Sequence, residues 1–207
     1  MKKFLLLPAL AFCSLAAQAA DPALSFEGDG TASSPYLIKT ADDVMALATA
    51  CNGATSTTSG HYAGKYFSLT ADIDMAGKTG FYGIASAPAD KSTSTGTYHF
   101  DGIFDGCGYR IKNMKINGVV RKDDGSVNTS TGANGSRRYC GFFGAIGTGG
   151  KVSNLVIDAS CRIEAYSYVG GVVGNLGTDA FVENCANYAE VVTYDGYTGG
   201  IVGCQVT

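Results

Sequence analysis

Gly141-Phe142-Phe143-Gly144, Gly171-Val172-Val173-Gly174 and Gly200-Ile201-Val202-Gly203 repeat one pattern, two apolar residues held between glycines. Gly102-Ile103-Phe104-Asp105 reads as a divergent first copy, so the leading glycines stand 39, 30 and 29 residues apart. A period of this size marks a repeat architecture, in which a unit too small to bury a core stacks on its neighbours. A second anchor lies further along each unit. Ile111-Lys112-Asn113-Met114-Lys115-Ile116 matches Val152-Ser153-Asn154-Leu155-Val156-Ile157, and both match Val182-Glu183-Asn184-Cys185-Ala186-Asn187. The basic unit is about 30 residues, and roughly ten extra residues of the first unit fall between Gly118 and Arg138, a polar stretch that reads as a surface loop.

Aligning the units gives apolar columns. Ile103, Phe142, Val172 and Ile201 form one, and Phe104, Phe143, Val173 and Val202 a second. Ile111, Val152 and Val182 form a third, Met114, Leu155 and Cys185 a fourth, and Val120, Cys161 and Val191 a fifth. Asn113, Asn154 and Asn184 make a polar column, which reads as amides bonding along the stack, with a ligand-facing row as the alternative. These patterns predict an all-β fold: a right-handed parallel β-helix (β-solenoid) with a short N-terminal capping helix. The right hand follows the usual sense of parallel crossovers.

Upstream of the repeats the period changes. Val44, Leu47, Ala48 and Cys51 recur at helical spacing, after Thr40 as a cap and with Asp42 and Asp43 at the positive end of the helix dipole. Gly53 suits the exit. This helix is expected to cover an open end of the stack, and Phe67, Leu69, Ala71 and Ile73 alternate as a strand after it. Residues 1–19 read as a secretory signal: basic Lys2 and Lys3, an apolar run from Phe4 to Leu15, and a small-x-small site at Ala17-Gln18-Ala19. Cys13 as a lipid-modified cysteine is the competing reading, and Phe12 before it counts against that. The expected organisation is a signal peptide at 1–19, a cap with one helix and the first strands at 20–76, and Gly-rich solenoid repeats at 77–207, cut short at the C-terminus.

Glycine supplies 29 of the 207 residues and proline 4, a composition of tight turns and close backbone approaches. Removing the signal leaves 13 basic against 18 acidic side chains, a charge of about −5. That is a poor match for nucleic acid, and Arg137-Arg138 reads as a solvated loop tip. No second apolar stretch is long enough to span a membrane.

With these residues in hand, the chain resembles bacterial exported proteins that carry GLUG-type repeats, whose Gly-Leu-apolar-Gly core corresponds to the Gly-apolar-apolar-Gly anchors here. Gly28-Asp29-Gly30-Thr31, Pro35-Tyr36-Leu37-Ile38, Ala71-Asp72-Ile73-Asp74-Met75 and Phe100-Asp101-Gly102-Ile103-Phe104-Asp105-Gly106-Cys107-Gly108 also look like theirs. The motif's Leu is Phe142, Val172 or Ile201, and Cys107 stands where relatives have Asn in the turn. Some larger relatives are zinc peptidases. Their His-Glu-x-x-His helix is not found in this sequence, whose histidines are His61 and His99, so peptidase activity does not carry over.

No residue is assigned a catalytic, cofactor-binding or metal-binding role, and no cofactor is implied. Asp72, Asp74, Asp101 and Asp105 are candidates for the calcium-binding carboxylates of a lyase-like β-helix, but their plain reading is as turn aspartates. Six cysteines remain after the signal, at 51, 107, 140, 161, 185 and 204, and free core thiols are preferred over bridges. The functional expectation is a cell-surface or secreted interaction and adhesion module, with periplasmic residence as a variant. Its partner would be an extracellular protein or glycan, met by the loops at 54–60, 91–97 and 126–136. The alternatives are a glycan-binding or glycan-degrading β-helix using Tyr166, Tyr168, Tyr194 and Tyr197 as a stacking platform, or the accessory region of a secreted peptidase.

Overall fold

The computed structural model describes residues 23–53, 61–86, 98–130 and 135–206. The signal segment 1–19, the loops 54–60 and 91–97, and 131–134 of the third loop lie outside them. In chain order the elements are β1 (Tyr36–Ile38), α1 (Ala41–Gly53), β2 (Tyr66–Leu69), β3 (Ile73–Asp74), β4 (Ile103–Asp105), β5 (Arg110–Lys112) and β6 (Lys115–Asn117). Then follow β7 (Arg138–Cys140), β8 (Phe143–Ile146), β9 (Lys151–Ser153), β10 (Val156–Ile157), β11 (Arg162–Glu164) and β12 (Ser167–Gly170). The last are β13 (Val173–Leu176), β14 (Phe181–Glu183), β15 (Ala186–Asn187), β16 (Glu190–Val192), β17 (Thr198–Gly199) and β18 (Val202–Gln205).

Among the described residues all pairs of named strands are parallel, and each strand pairs with one from another turn of the chain. Five sheets result, in the orders β1-β2-β4-β9-β14, β3-β5-β10-β15, β6-β11-β16, β7-β12-β17 and β8-β13-β18. One coil therefore crosses five short faces, β9 through β13 being a complete example. Among the described residues the fold is all-β and solenoid-like, with one helix and no closed barrel.

The core is a single apolar cluster running through the coils. Its aromatic part is a chain of fully buried rings: Phe67 to Phe100 at 5.4 Å, Phe100 to Phe143 at 5.1 Å, and Phe143 to Phe104 at 5.3 Å between centroids. Where the first full coil has Phe142 and Phe143, the next has Val172 and Val173. Each such side chain removed from water contributes roughly 1.5–3 kcal/mol.

The helix forms as its sequence suggests. Thr40 Oγ1 accepts from Asp43 N at 3.2 Å, and Asp43 Oδ2 accepts from the Lys39 and Thr40 amides at 2.9 Å, a reciprocal cap. Val44, Leu47, Ala48 and Cys51 are buried in the common core. Asn52 fastens the helix to the segment flanking β8: its Nδ2 donates to Gly83 O at 2.9 Å, and its Oδ1 accepts from Ser86 N at 2.7 Å.

The register departs from the aligned columns. Phe143, Val173 and Val202 do stack, but Phe104 pairs with Phe67 and Val152 on a different sheet. The earlier partner of Phe143 is Ile84, after Gly83. Ile111 stacks on Ile157 rather than on Val152, and Ile116, Ile163 and Val191 form a column in place of Val120, Cys161 and Val191. Ile103 meets Lys151 and Lys151 meets Phe181, steps of 48 and 30 residues, so the first unit's extra length is nearer twenty residues, carried between β6 and β7. The asparagine column is split. Asn154 Nδ2 donates to Asp105 Oδ1 at 2.9 Å, and Asn184 Nδ2 reaches Asn154 Oδ1 at a long 3.4 Å. Asn113 instead donates to Asp74 Oδ1 at 2.8 Å, one corner further along.

The cause is local. Asn113, Asn154 and Asn184 all adopt the left-handed conformation, with φ of 55°, 54° and 50°. Asparagine tolerates it better than most residues. The motif therefore marks a corner between strands without saying which corner.

Candidate functional site

The aspartates named from sequence are used by the backbone and by neighbouring coils. Asp72 accepts from Lys112 Nζ at 2.6 Å and from Arg110 N at 2.9 Å, and these bonds hold its pKa below the usual carboxylate value. Asp74 is lowered in the same way by Asn113 and by the Ala76 amide. Asp105 accepts from Cys107 N at 2.8 Å as well as from Asn154. His61 and His99, distant in sequence, are bonded through their backbones, and His99 Nδ1 lies 2.6 Å from Asp101 Oδ1. Among the described residues no three His, Cys, Asp or Glu side chains converge on a metal position. Among the described residues the six cysteines are free thiols, and burial pushes the Cys140 thiol up to about 12.

The most developed surface lies where β6-β11-β16 turns into β7-β12-β17. Tyr139, Tyr168 and Tyr197 come from three consecutive coils and form a ladder, with centroids 4.5 and 4.9 Å apart and planes inclined by 20° and 27°. Tyr139 and Tyr168 have φ of 56° and 55°. A left-handed aromatic residue costs about 1–2 kcal/mol, and the ladder's contacts, ~0.5–1.5 kcal/mol per pair, offset it. The ring of Tyr168 is covered on both faces, and burial with its neighbours' charges raises its pKa.

Beside the ladder runs a polar network. Tyr194 Oη donates to Glu164 Oε1 at 2.5 Å and accepts from Arg121 Nη2 at 2.9 Å. The Arg121 guanidinium also lies 5.4 Å from the Tyr194 ring centre. Arg162 holds the other Glu164 oxygen at 3.0 Å and also bonds Glu190. The Tyr194 bond, followed by that of Arg162, keeps the Glu164 carboxyl below its usual range. Arg138 sits 4.6 Å over the Tyr166 ring, and the bond from Tyr166 to Asp195 raises that phenol's pKa.

Tyr166, Tyr168, Tyr194 and Tyr197 are thus brought together, as the stacking reading requires. Their ring faces, however, are largely taken by one another and by arginines. The surface offers phenol hydroxyls, guanidinium edges and one outer ring, Tyr197, which is 55% exposed. Sequence reasoning missed Tyr139, Arg121, Arg138 and Glu164. The signal for Tyr139 was present, because tyrosine recurs at 139, 168 and 197, just ahead of the glycines of each anchor. Arg138 is no solvated loop tip, and neither is Arg137, whose guanidinium lies 3.6 Å from the Tyr82 ring centre.

No family model matches the chain. Over 163 residues, 75% of its length, it is 30% identical to a protein of Evansella cellulosilytica described as a Gly-rich membrane protein, of which it spans 15%. Over 186 residues, 86% of its length, it is 29% identical to halomucin of Haloquadratum walsbyi, of which it spans 2%. The chain thus corresponds to a small part of either relative. Among solved structures, a protein described as an immunoglobulin A1 protease of Bacteroides ovatus is 22% identical with a TM-score of 0.39, the match covering 87% of this chain and 64% of that one. Among the described residues no helix is long and apolar enough to cross a membrane.

Proposed function

We propose that the chain is a repeat-built interaction and adhesion module of an exported protein, acting at the cell surface or outside the cell on an extracellular protein or glycan. Residues 1–19 would direct export, 20–76 would form the cap, and 77–207 would be GLUG-type coils of a right-handed parallel β-helix. The observation that carries this reading is the tyrosine ladder with its flanking Arg121, Arg138 and Glu164, built from three coils and running from buried Tyr139 to exposed Tyr197. Rigid tyrosines beside arginines are the side chains that dominate binding at protein surfaces. The Gly-rich membrane relative supports the exported setting.

The test has two parts. Expressed with its N-terminus in an exporting bacterium, the chain should appear outside the cytoplasm with Ala20 first. The chain lacking residues 1–19 is then screened against immobilised extracellular glycans and matrix proteins, beside the double variant Tyr197→Ser, Arg138→Gln. A ligand bound by the parent and weakened at least tenfold in the variant, with unchanged circular dichroism, is expected. Equal binding by both would remove the ladder from the reading, and release of a cleaved product would replace adhesion with catalysis.

A further inference from the structure

The sheet β6-β11-β16 ends at β6, whereas the β1-β2-β4-β9-β14 sheet continues two strands beyond β4. The reason lies between β3 and Ile84. That stretch turns at Gly77 and Gly80, whose φ of 77° and 73° are left-handed, and forms no strand against β6. A cavity of about 650 Å3 is left between this arch, which carries Lys78, Thr79 and Tyr82, and the outward side chains of Asn113, Lys115 and Asn117. The arch residues Gly80, Phe81 and Tyr82 also line a neighbouring hollow of about 330 Å3 that contains Arg137.

The two hollows hold Lys78, Lys115 and Arg137, and among the described residues their walls carry no carboxylate. The larger hollow is a recess lined by two cations, Lys78 and Lys115, on a chain whose net charge is −3. Lys78 is paired with Asp42 at 2.5 Å, but Asp42 is 82% exposed, so a ligand anion competes with a solvated partner at little cost. Asn113 gives its Nδ2 to Asp74 and keeps its amide oxygen. Amides, a threonine hydroxyl and an aromatic wall suit a polyhydroxylated ring, and the volume far exceeds that of a simple ion. An acidic peptide would meet the same two lysines, so triglutamate is the probe that separates it from a sugar.

We propose that this recess binds a carboxylated sugar of an acidic glycan, its carboxylate held by Lys78 and Lys115 and its hydroxyls by Asn113, Asn117 and Thr79. The site is separate from the tyrosine ladder and holds whether or not that ladder binds anything.

The experiment is a titration of the whole chain lacking residues 1–19, followed by calorimetry and amide NMR, with trigalacturonate, its methyl ester, triglutamate and inorganic sulfate. Trigalacturonate should bind, shift amides at 75–82 and 113–117, and weaken as salt rises. The methyl ester should fail. Lys115→Gln, a change on an exposed side chain, should weaken binding by about tenfold or more, the loss expected for a charge-assisted hydrogen bond, and Lys115→Arg should restore most of it. The proposal is overturned by no binding, by equal binding of the ester, by shifts elsewhere, or by triglutamate or sulfate binding as tightly as the sugar.

Discussion

Replacing Gly174 with alanine adds one methyl group at the point where successive coils touch. A Cβ built there lies 2.7 Å from Cys140 N, 2.7 Å from Gly144 O and 2.8 Å from Tyr139 C. All three are backbone atoms, so no side chain can rotate away, and the coils must separate by several tenths of an ångström. Overpacking of this kind costs typically ~1–3 kcal/mol, and a purely backbone clash belongs at the top of that range. For a chain of this size about 3 kcal/mol lowers Tm by roughly 6–12 °C. Gly200 is the control. It occupies the matching place to Gly141 and Gly171, yet a Cβ there meets nothing within 4 Å, and its φ is not left-handed. Gly200→Ala should be neutral or stabilising by up to ~1 kcal/mol through the unfolded chain. Urea unfolding of the parent and both variants measures the difference directly. If Gly174→Ala stays within about 0.5 kcal/mol of the parent, the size of a typical inert surface change, the explanation of the glycine motif by coil contact is wrong. It fails equally if Gly200→Ala is as costly.

Thiol chemistry gives a second expectation: iodoacetamide at pH 8 should modify exposed Cys107 in the native chain and leave buried Cys140 intact, as read by peptide mass spectrometry. Because the folded pKa of Cys140 stands above its unfolded value, its contribution to stability is complete below the unfolded pKa of 9.0 and lost as pH rises toward about 12, so Cys140→Ser should flatten the alkaline limb of an unfolding profile. Glu164 has the opposite sign. Its folded pKa is depressed, so its contribution is present above the ordinary carboxylate range and disappears as pH falls through the folded value, and Tyr194→Phe should move that loss to higher pH in an NMR titration of the carboxyl. Thr40→Ala should cost about 1 kcal/mol in urea unfolding, because it removes the acceptor for the Asp43 amide.

The helix was legible because its signals are local. Thr40, the two aspartates and the spacing of Val44, Leu47 and Cys51 act within one segment, and the cap is seen as drawn. The long insertion before Arg138 was legible for the same reason, since polar turn residues cannot enter a strand. Coil register was not. Phe104 lies two residues after a glycine, as Phe143 does, but its place is decided by pairing with Phe67 and Val152, residues 37 and 48 positions away. Cys161 falls beside Met114, donating its thiol to Ile111 O at 3.2 Å, because the chain turns at Asp158 and Ser160, where the preceding coil turns at Asn113.

The candidate surface divides in the same way. Tyrosine recurs ahead of each glycine anchor, so a row of tyrosines is written in the chain. That the rings stack face to face, shielding the platform they were expected to offer, depends on left-handed backbone at Tyr139 and Tyr168 and on the rise from coil to coil. The cation-lined recess has no sequence signal, since Lys78, Lys115 and Arg137 lie in unrelated segments.

By itself, then, the sequence determined the repeat, its period, the glycines that permit close coils, the capped helix and the polar insertion, because each rests on conformational preferences within a few neighbouring residues. Only the tertiary structure decided which residues stack on which, which tyrosine faces remain open and where Lys78, Lys115 and Arg137 come to line two adjoining hollows. Those follow from long-range backbone pairing and from side-chain packing across coils, whose free energies are summed over the whole stack and belong to no single motif.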